Sequence, residues 1–297
     1  MQGSTSMEKS AIALPSEGQG AASIVAASGP RTRVAAASSS PIRAWAAYPP
    51  VVAVRSFVLF FLAWWGVATW VGSPIQLPTP FAVFDALRDL AIDGEVFENV
   101  GVSFTRLLIS LVIACVLALP LGVLMGLSQR VNAYIDPTVE MLRPISGIAW
   151  IPLGLFIFGI GDELPVFIMT YVAFFPMLLN TIAGVRGTDR RLVQAARTMG
   201  VGRMRIVRRV VLPGALPTIM VGIRIGFAGA WAAIIAAELI GAPSGLGFAI
   251  EWYRELLMSP KVFAYIIAIS VVGYTCDLAL QFLQRRLTPW ARGTELA

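Results

Sequence analysis

Six apolar stretches, each long enough or nearly so to cross about 30 Å of hydrocarbon, leave few folds open to this chain. They run over roughly 52–71, 102–127, 144–160, 164–184, 216–240 and 262–284. A bilayer core offers no water to the backbone, so each stretch reads as a helix. The third is short and holds Pro152 and Gly154, which predicts a kink or packing inside the bundle. Only Gly161, Asp162 and Glu163 separate it from the fourth, a tight turn. The resulting fold class is all-α, a polytopic membrane protein of about six transmembrane helices. Composition agrees. With 57% hydrophobic and 13% charged residues, the chain carries about half the charge of a soluble domain.

Lys and Arg then set the orientation. With the N-terminus inside, 18 of the 23 basic residues fall on the cytoplasmic side, among them Arg130, Arg143 and eight arginines between 186 and 209. Arg88, Arg106, Arg254 and Lys261 fall on the outer side, and Arg224 lies within a span. Both termini are therefore expected in the cytoplasm. The net charge of +6 is a matter of topology, satisfied by anionic lipid headgroups, and implies no nucleic acid.

Chemistry is poorly provided for. There is no histidine, and Cys115 and Cys276 sit alone in apolar runs. Neither a carboxylate cluster nor a GxxxxGK[ST] phosphate loop occurs. No catalytic residue, metal or cofactor is expected. A membrane-embedded enzyme is disfavoured, and a secondary transporter would call for inverted repeats and more intramembrane charge.

Residues 1–48, rich in Ala, Ser, Gly and Pro, read as a disordered cytoplasmic tail, with a transit peptide as the alternative. Residues 49–290 form the transmembrane domain and 291–297 a C-terminal tail. Two outer loops are amphipathic. Within 72–101, Phe81, Phe84, Leu87, Leu90 and Ala91 share a helical face, and 241–261 opens on a Gly/Pro turn. Trp64, Trp65 and Trp70 suit an interfacial belt.

The most informative segment is 184–217, too charged to cross yet helically periodic. Leu192, Ala195, Ala196 and Met199 make one apolar face. Gly200 supplies the positive-φ residue that ends a helix. A second helix sets Met204, Val207, Val210 and Val211 against Arg205, Arg208 and Arg209, and Pro213 is expected to stop it.

The run QAARTMG, nine residues, then Val210, Val211, Leu212 and Pro213 resembles the EAA loop of permease subunits of ATP-driven (ABC) importers. The family pattern is Glu-Ala-Ala, three residues, Gly, nine residues, then Ile, any residue, Leu and Pro. Gln194 replaces Glu and Val210 replaces Ile, while Ala195, Ala196, Gly200, Leu212 and Pro213 match. Flanking runs, AGVRGTD, LPGALPTIMVGIRIGFAGAWAAIIAAELIGAPSGLGF and QRRLTPW, resemble the nitrate/sulfonate/taurine group, so the likeness covers roughly 55–292.

The resemblance implies a plasma (inner) membrane permease, fed by a periplasmic solute-binding protein and driven by two cytoplasmic ABC ATPase subunits. Its coupling loop, 187–213, would meet the ATPase between spans four and five through Gln194, Ala195, Ala196, Gly200, Arg203, Arg205, Leu212 and Pro213. With six spans and no internal repeat, a permease homodimer is implied. The cargo would be a small anionic solute of the sulfonate, taurine or nitrate type, or else an aromatic carboxylate or a vitamin precursor.

Ionisable groups inside a span default to function. Arg224, Glu238 and Asp277 are the candidates. Arg224 and Asp277 each lie about 10 Å from the inner ends of their spans, so they are expected to be level and able to pair. A free Arg224 facing the pathway would instead attract an anion, or snorkel to the inner interface. Glu238 is expected at the outer interface or a gate.

Overall fold

The structure, a computed structural model, describes residues 49–290, with side chains from Val54 onward. The expected tails, 1–48 and 291–297, lie outside the described residues. From Ser56 the described chain belongs to one compact unit. Its helices, in chain order, are α1 (Pro49–Val71), α2 (Pro80–Ile92), α3 (Glu95–Leu127), α4 (Gln129–Leu142), a 3₁₀ turn (Gly147–Trp150) and α5 (Ile151–Phe158). They continue as α6 (Glu163–Arg186), α7 (Arg190–Thr198), α8 (Arg203–Ile206), a π turn (Val207–Val211), α9 (Leu212–Gly241), α10 (Leu246–Glu255) and α11 (Ser259–Leu287).

Among the described residues five helical runs are long and apolar enough to cross a membrane: Val54–Val71, Glu95–Leu127, Glu163–Arg186, Arg203–Gly241 and Ser259–Leu287. They become six if the bent pair Gln129–Leu142 and Gly147–Phe158, meeting at 82°, counts as one span. The expected third span, 144–160, is therefore only the second limb of this bent pair. Its first limb, α4, was hidden in the sequence because Asn132, Asp136, Pro137 and Glu140 interrupt the apolar window. Arg143, counted with Arg130 on one side of the membrane, lies about 20 Å from it along α4. Tyr171 Oη donates to the Leu142 carbonyl at 2.6 Å, which pins the break beside the middle of α6.

The core forms where α6 packs between α3 and α9. Small residues let the backbones close in. A Cβ on Gly226 would lie 3.0 Å from the Ala173 carbonyl, and one on Gly122 would meet the Thr181 side chain at 2.7 Å. Without a hydrophobic force between helices in lipid, such close approach is a main source of association.

The two amphipathic loops do fold as helices, but with different faces inward. In α2, capped by the Thr79 hydroxyl, Val83, Ala86 and Leu90 are buried while Phe81 and Phe84 are exposed. In α10, Leu246, Ala249 and Tyr253 are buried. Of the expected aromatic belt, Trp64 packs inward, stacking on Phe263 and donating to the Pro78 carbonyl, while Trp70 is exposed.

Candidate functional site

Two polar assemblies occupy opposite ends of the bundle. The first is the segment between α6 and α9. Asp189 opens α7 by accepting from the Arg191 N–H at 2.8 Å. The helix runs nine residues to Thr198 and is terminated as expected by Gly200, whose φ is +74°. Val201 N–H bonds the Ala196 carbonyl and Gly200 N–H the Arg197 carbonyl, the paired bonds of a Schellman termination.

The inner face of this hairpin is narrower than the sequence suggested. Ala196, Ile206 and Val211 are buried in a cluster with Val185, Ala215 and Ile219, and Val193 packs against it. Leu192 and Met199, assigned to the same face, are exposed, as are Gln194, Ala195 and Met204. Leu192, Ala195 and Met199 instead join Arg209, Pro213 and Trp290 around a groove of about 550 Å³. Arg203, Arg205, Arg208 and Arg209 line a second concavity beside it. The exposed edge thus couples small and apolar side chains to a field of guanidinium groups.

Pro213 does not stop the second helix. The Leu212 N–H reaches back to Val207, so the turn before the proline is π-helical and wider than an α turn. Pro213 gives the helix no N–H, yet the helix continues through it. The run from Arg203 to Gly241 is therefore continuous over 39 residues, about 58 Å. Leu212, half-buried, lies at the joint.

The second assembly lies at the far end of that helix. Glu238 has no solvent-exposed surface, and Arg106 is 3% exposed. Arg106 uses all five of its N–H donors: Nε and Nη2 on Asp162, Nη1 on Glu238 and the Ser244 carbonyl, Nη2 also on the Ser244 hydroxyl. Glu238 accepts further from Ser103 at 2.7 Å and from the Gly247 N–H at 2.9 Å. Ser103 accepts from the Leu246 N–H, and Asn99 from the Gly245 N–H. Gly245 is required here, since a Cβ would meet the Glu238 carboxylate at 2.6 Å and φ is +109°. Glu95 completes the set, accepting from Tyr253 at 2.6 Å and Tyr265 at 2.9 Å.

Glu95, Asn99, Ser103 and Arg106 thus form one stripe of α3 that binds α6, α9, α10 and α11. Glu238 is buried and bonded to Arg106, Ser103 and Gly247, and Asp162, in the tight turn, reaches Arg106. Arg106, which the sequence reading placed in a loop, is the centre. Its signal was present: it is a lone charge five residues into an apolar run. A buried ion pair with every donor used is a fixed joint, because losing one partner strands the other.

Arg224 and Asp277 do pair. Nε and Nη2 meet the two carboxylate oxygens at 2.7 and 2.9 Å, and Gln281 donates to the same carboxylate. Their side chains are 41% and 30% exposed. Among the described residues no group of three or more His, Cys, Asp or Glu could hold a metal.

Residues 118–289 match a family model described as "Binding-protein-dependent transport system inner membrane component". The taurine transport system permease protein TauC of Escherichia coli (strain K12) is 35% identical over 245 residues, 80% of this chain and 89% of its own length. A putative aliphatic sulfonates transport permease protein, SsuC of Bacillus subtilis (strain 168), is also 35% identical, over 79% of this chain and 86% of its own. Among solved structures, a chain of the MetNI methionine ABC transporter in an inward facing conformation superposes with a TM-score of 0.60 at 21% identity. It covers 67% of this chain and 98% of that one.

Proposed function

Since the chain belongs to the family of binding-protein-dependent transport system inner membrane components, we propose that it meets its ATPase through the exposed edge of α7 and the helix that follows. It is the membrane-spanning permease subunit of an importer. Gln194, Ala195, Ala196, Gly200, Arg203, Arg205, Leu212 and Pro213 build the contact, and the segment faces the cytoplasm with both termini.

One observation carries this reading. The hairpin is anchored by Ala196, Ile206 and Val211, leaves Ala195 and Met199 exposed, and runs without a break into the 39-residue helix. A push at the groove is therefore delivered along about 58 Å of helix. Nucleotide-driven closure of a pair of ATPase subunits would bias a two-state bundle through differential contacts here. Two copies of the chain, two ATPase subunits and one periplasmic solute-binding protein make up the working unit. The cargo is a small organic anion of the sulfonate class, which is what the names of the relatives above describe.

The test is co-purification from detergent with the ATPase, comparing the unaltered chain with Ala195→Arg plus Met199→Glu. Both positions are exposed, so the variant is expected to elute and melt like the parent while losing the ATPase. Retention of the ATPase by a folded variant overturns the assignment.

A further inference from the structure

Among the described residues Arg106 and Arg224 lie inside apolar helices and Arg143 caps α4 beside α6, and the first two are neutralised. Arg106 is held by Glu238 and Asp162, and Arg224 by Asp277. Arg143 has no carboxylate within salt-bridge distance among the described residues. Its depth follows from Tyr171, whose hydroxyl holds the neighbouring Leu142 carbonyl. Tyr171 lies eight residues from one end of α6 and fifteen from the other, hence about 12 Å and about 22 Å from them. A cation so placed and unpaired is costly, and its cost falls when an anion joins it.

Arg143 opens onto a cavity of about 660 Å³ between the bent span, α6 and α9. That is the size range of pockets for small organic ligands. Among the described residues Arg143 is the only charge lining it, alongside Ser146, Tyr171, Phe175, Asn180 and Gly229. The Tyr171 hydroxyl is committed to Leu142, so this residue contributes its ring, edge-on to Phe175 at 5.1 Å. Asn180 spends one amide N–H on the Pro176 carbonyl at 2.8 Å and keeps the other. The Trp150 indole N–H, buried against the Tyr171 ring, has no acceptor among the described residues.

We propose that this cavity is a transit site for a small monovalent oxyanion, sulfonate or carboxylate, with Arg143 as its cationic ligand. The planar guanidinium can present two parallel N–H groups to such a head group. Ser146 and Asn180 supply neutral donors, and Tyr171 and Phe175 supply an apolar wall for the organic tail. Gly229 keeps α9 from filling the space. Arg143 caps α4 at the 82° break, and the turn that follows it brings Ser146 and Gly147 to the same cavity. That the anion is cargo rests on the import reading above. The positive potential of the cavity does not.

The experiment measures that potential directly. Ser146→Cys, in a Cys115→Ala, Cys276→Ala background, is reconstituted with the ATPase and treated with an anionic sulfonatoethyl or a cationic trimethylammonioethyl methanethiosulfonate. The ratio of anionic to cationic rate is expected to fall roughly tenfold when Arg143→Gln is added, and to change little with Arg143→Lys. Millimolar methanesulfonate is expected to slow the reaction with Arg143 present and not in Arg143→Gln. A ratio indifferent to Arg143→Gln, absence of methanesulfonate protection, or a Cys that neither reagent reaches overturns the site. Association with the ATPase is scored on the same samples. Its loss would sink the coupling assignment while the labelling ratio still judged the cavity.

Discussion

The two ends of the 39-residue helix carry charge in opposite ways. At the end nearest Glu238, charge is buried and every polar atom of Arg106 is matched. At the end nearest Arg203, four arginines stand exposed around a concavity and form no ion pair among the described residues. The first arrangement fixes geometry, since a buried pair tolerates no half-measures. The second costs little to leave unpaired in water and is free to meet a partner. One end is built to hold, the other is open to the partner proposed above, and the continuous helix joins them.

The largest expected effect breaks the holding end. Arg106→Ala strands Glu238 in a site with no solvent, and such losses run to about 3–5 kcal/mol. The melting temperature in detergent should fall by many degrees, whereas Arg203→Ala should leave it unchanged. Adding Glu238→Leu to Arg106→Ala should restore part of the loss, because the stranded charge is gone. If Arg106→Ala melts like the parent, the joint described here does not hold the bundle, and the contrast between the two ends fails.

A smaller effect is expected at the gripping end, where backbone geometry matters more than charge. Gly200 has open space around its Cβ position but a φ of +74°, so Gly200→Ala meets strain and no clash. The left-handed conformation costs an L-residue about 1 kcal/mol or more. Exchange of the Val201 amide, which bonds Ala196, should accelerate roughly fivefold or more while the global melting temperature barely moves. A global destabilisation instead would mean that the hairpin is part of the core and unsuited to being moved.

This asymmetry also explains what could be read from the sequence. The hairpin is local. Its cap, its termination at Gly200 and its charged face are set by neighbours in the chain, so spacing alone located them. The joint is non-local, uniting Arg106 with Asp162, Glu238 and Ser244. A residue-by-residue reading saw only isolated charges near span ends. Arg224 and Asp277 were matched because both sit at similar depths in adjacent spans, a one-dimensional argument. That argument failed for Arg143. The α4 limb is polar enough to look like a loop, and only the Leu142–Tyr171 bond reveals its depth. The continuation past Pro213 was missed for a related reason. A π turn is a register change, and residue type does not announce it.

The smallest effect concerns pH at the holding end. Burial pushes the Tyr253 hydroxyl well above the ordinary tyrosine value, and its bond to Glu95 pushes further, since a phenolate would face a carboxylate. Because the folded value exceeds the unfolded one of about 10, this contribution to stability is complete below pH 10. It is lost as pH rises from there toward the folded value. The melting temperature of the parent relative to Tyr253→Phe should be constant from pH 7 to about 9 and should decline above 10. Arg203→Ala leaves the Tyr253–Glu95 bond in place, so it should show no such pH-dependent difference. A gap between parent and Tyr253→Phe that stays constant to pH 11 would mean that Tyr253 is solvated in the folded protein. Glu95 would then bind Tyr265 of α11 alone, and the stripe of α3 would hold the start of α10 only through Asn99 on Gly245 and Ser103 on Leu246.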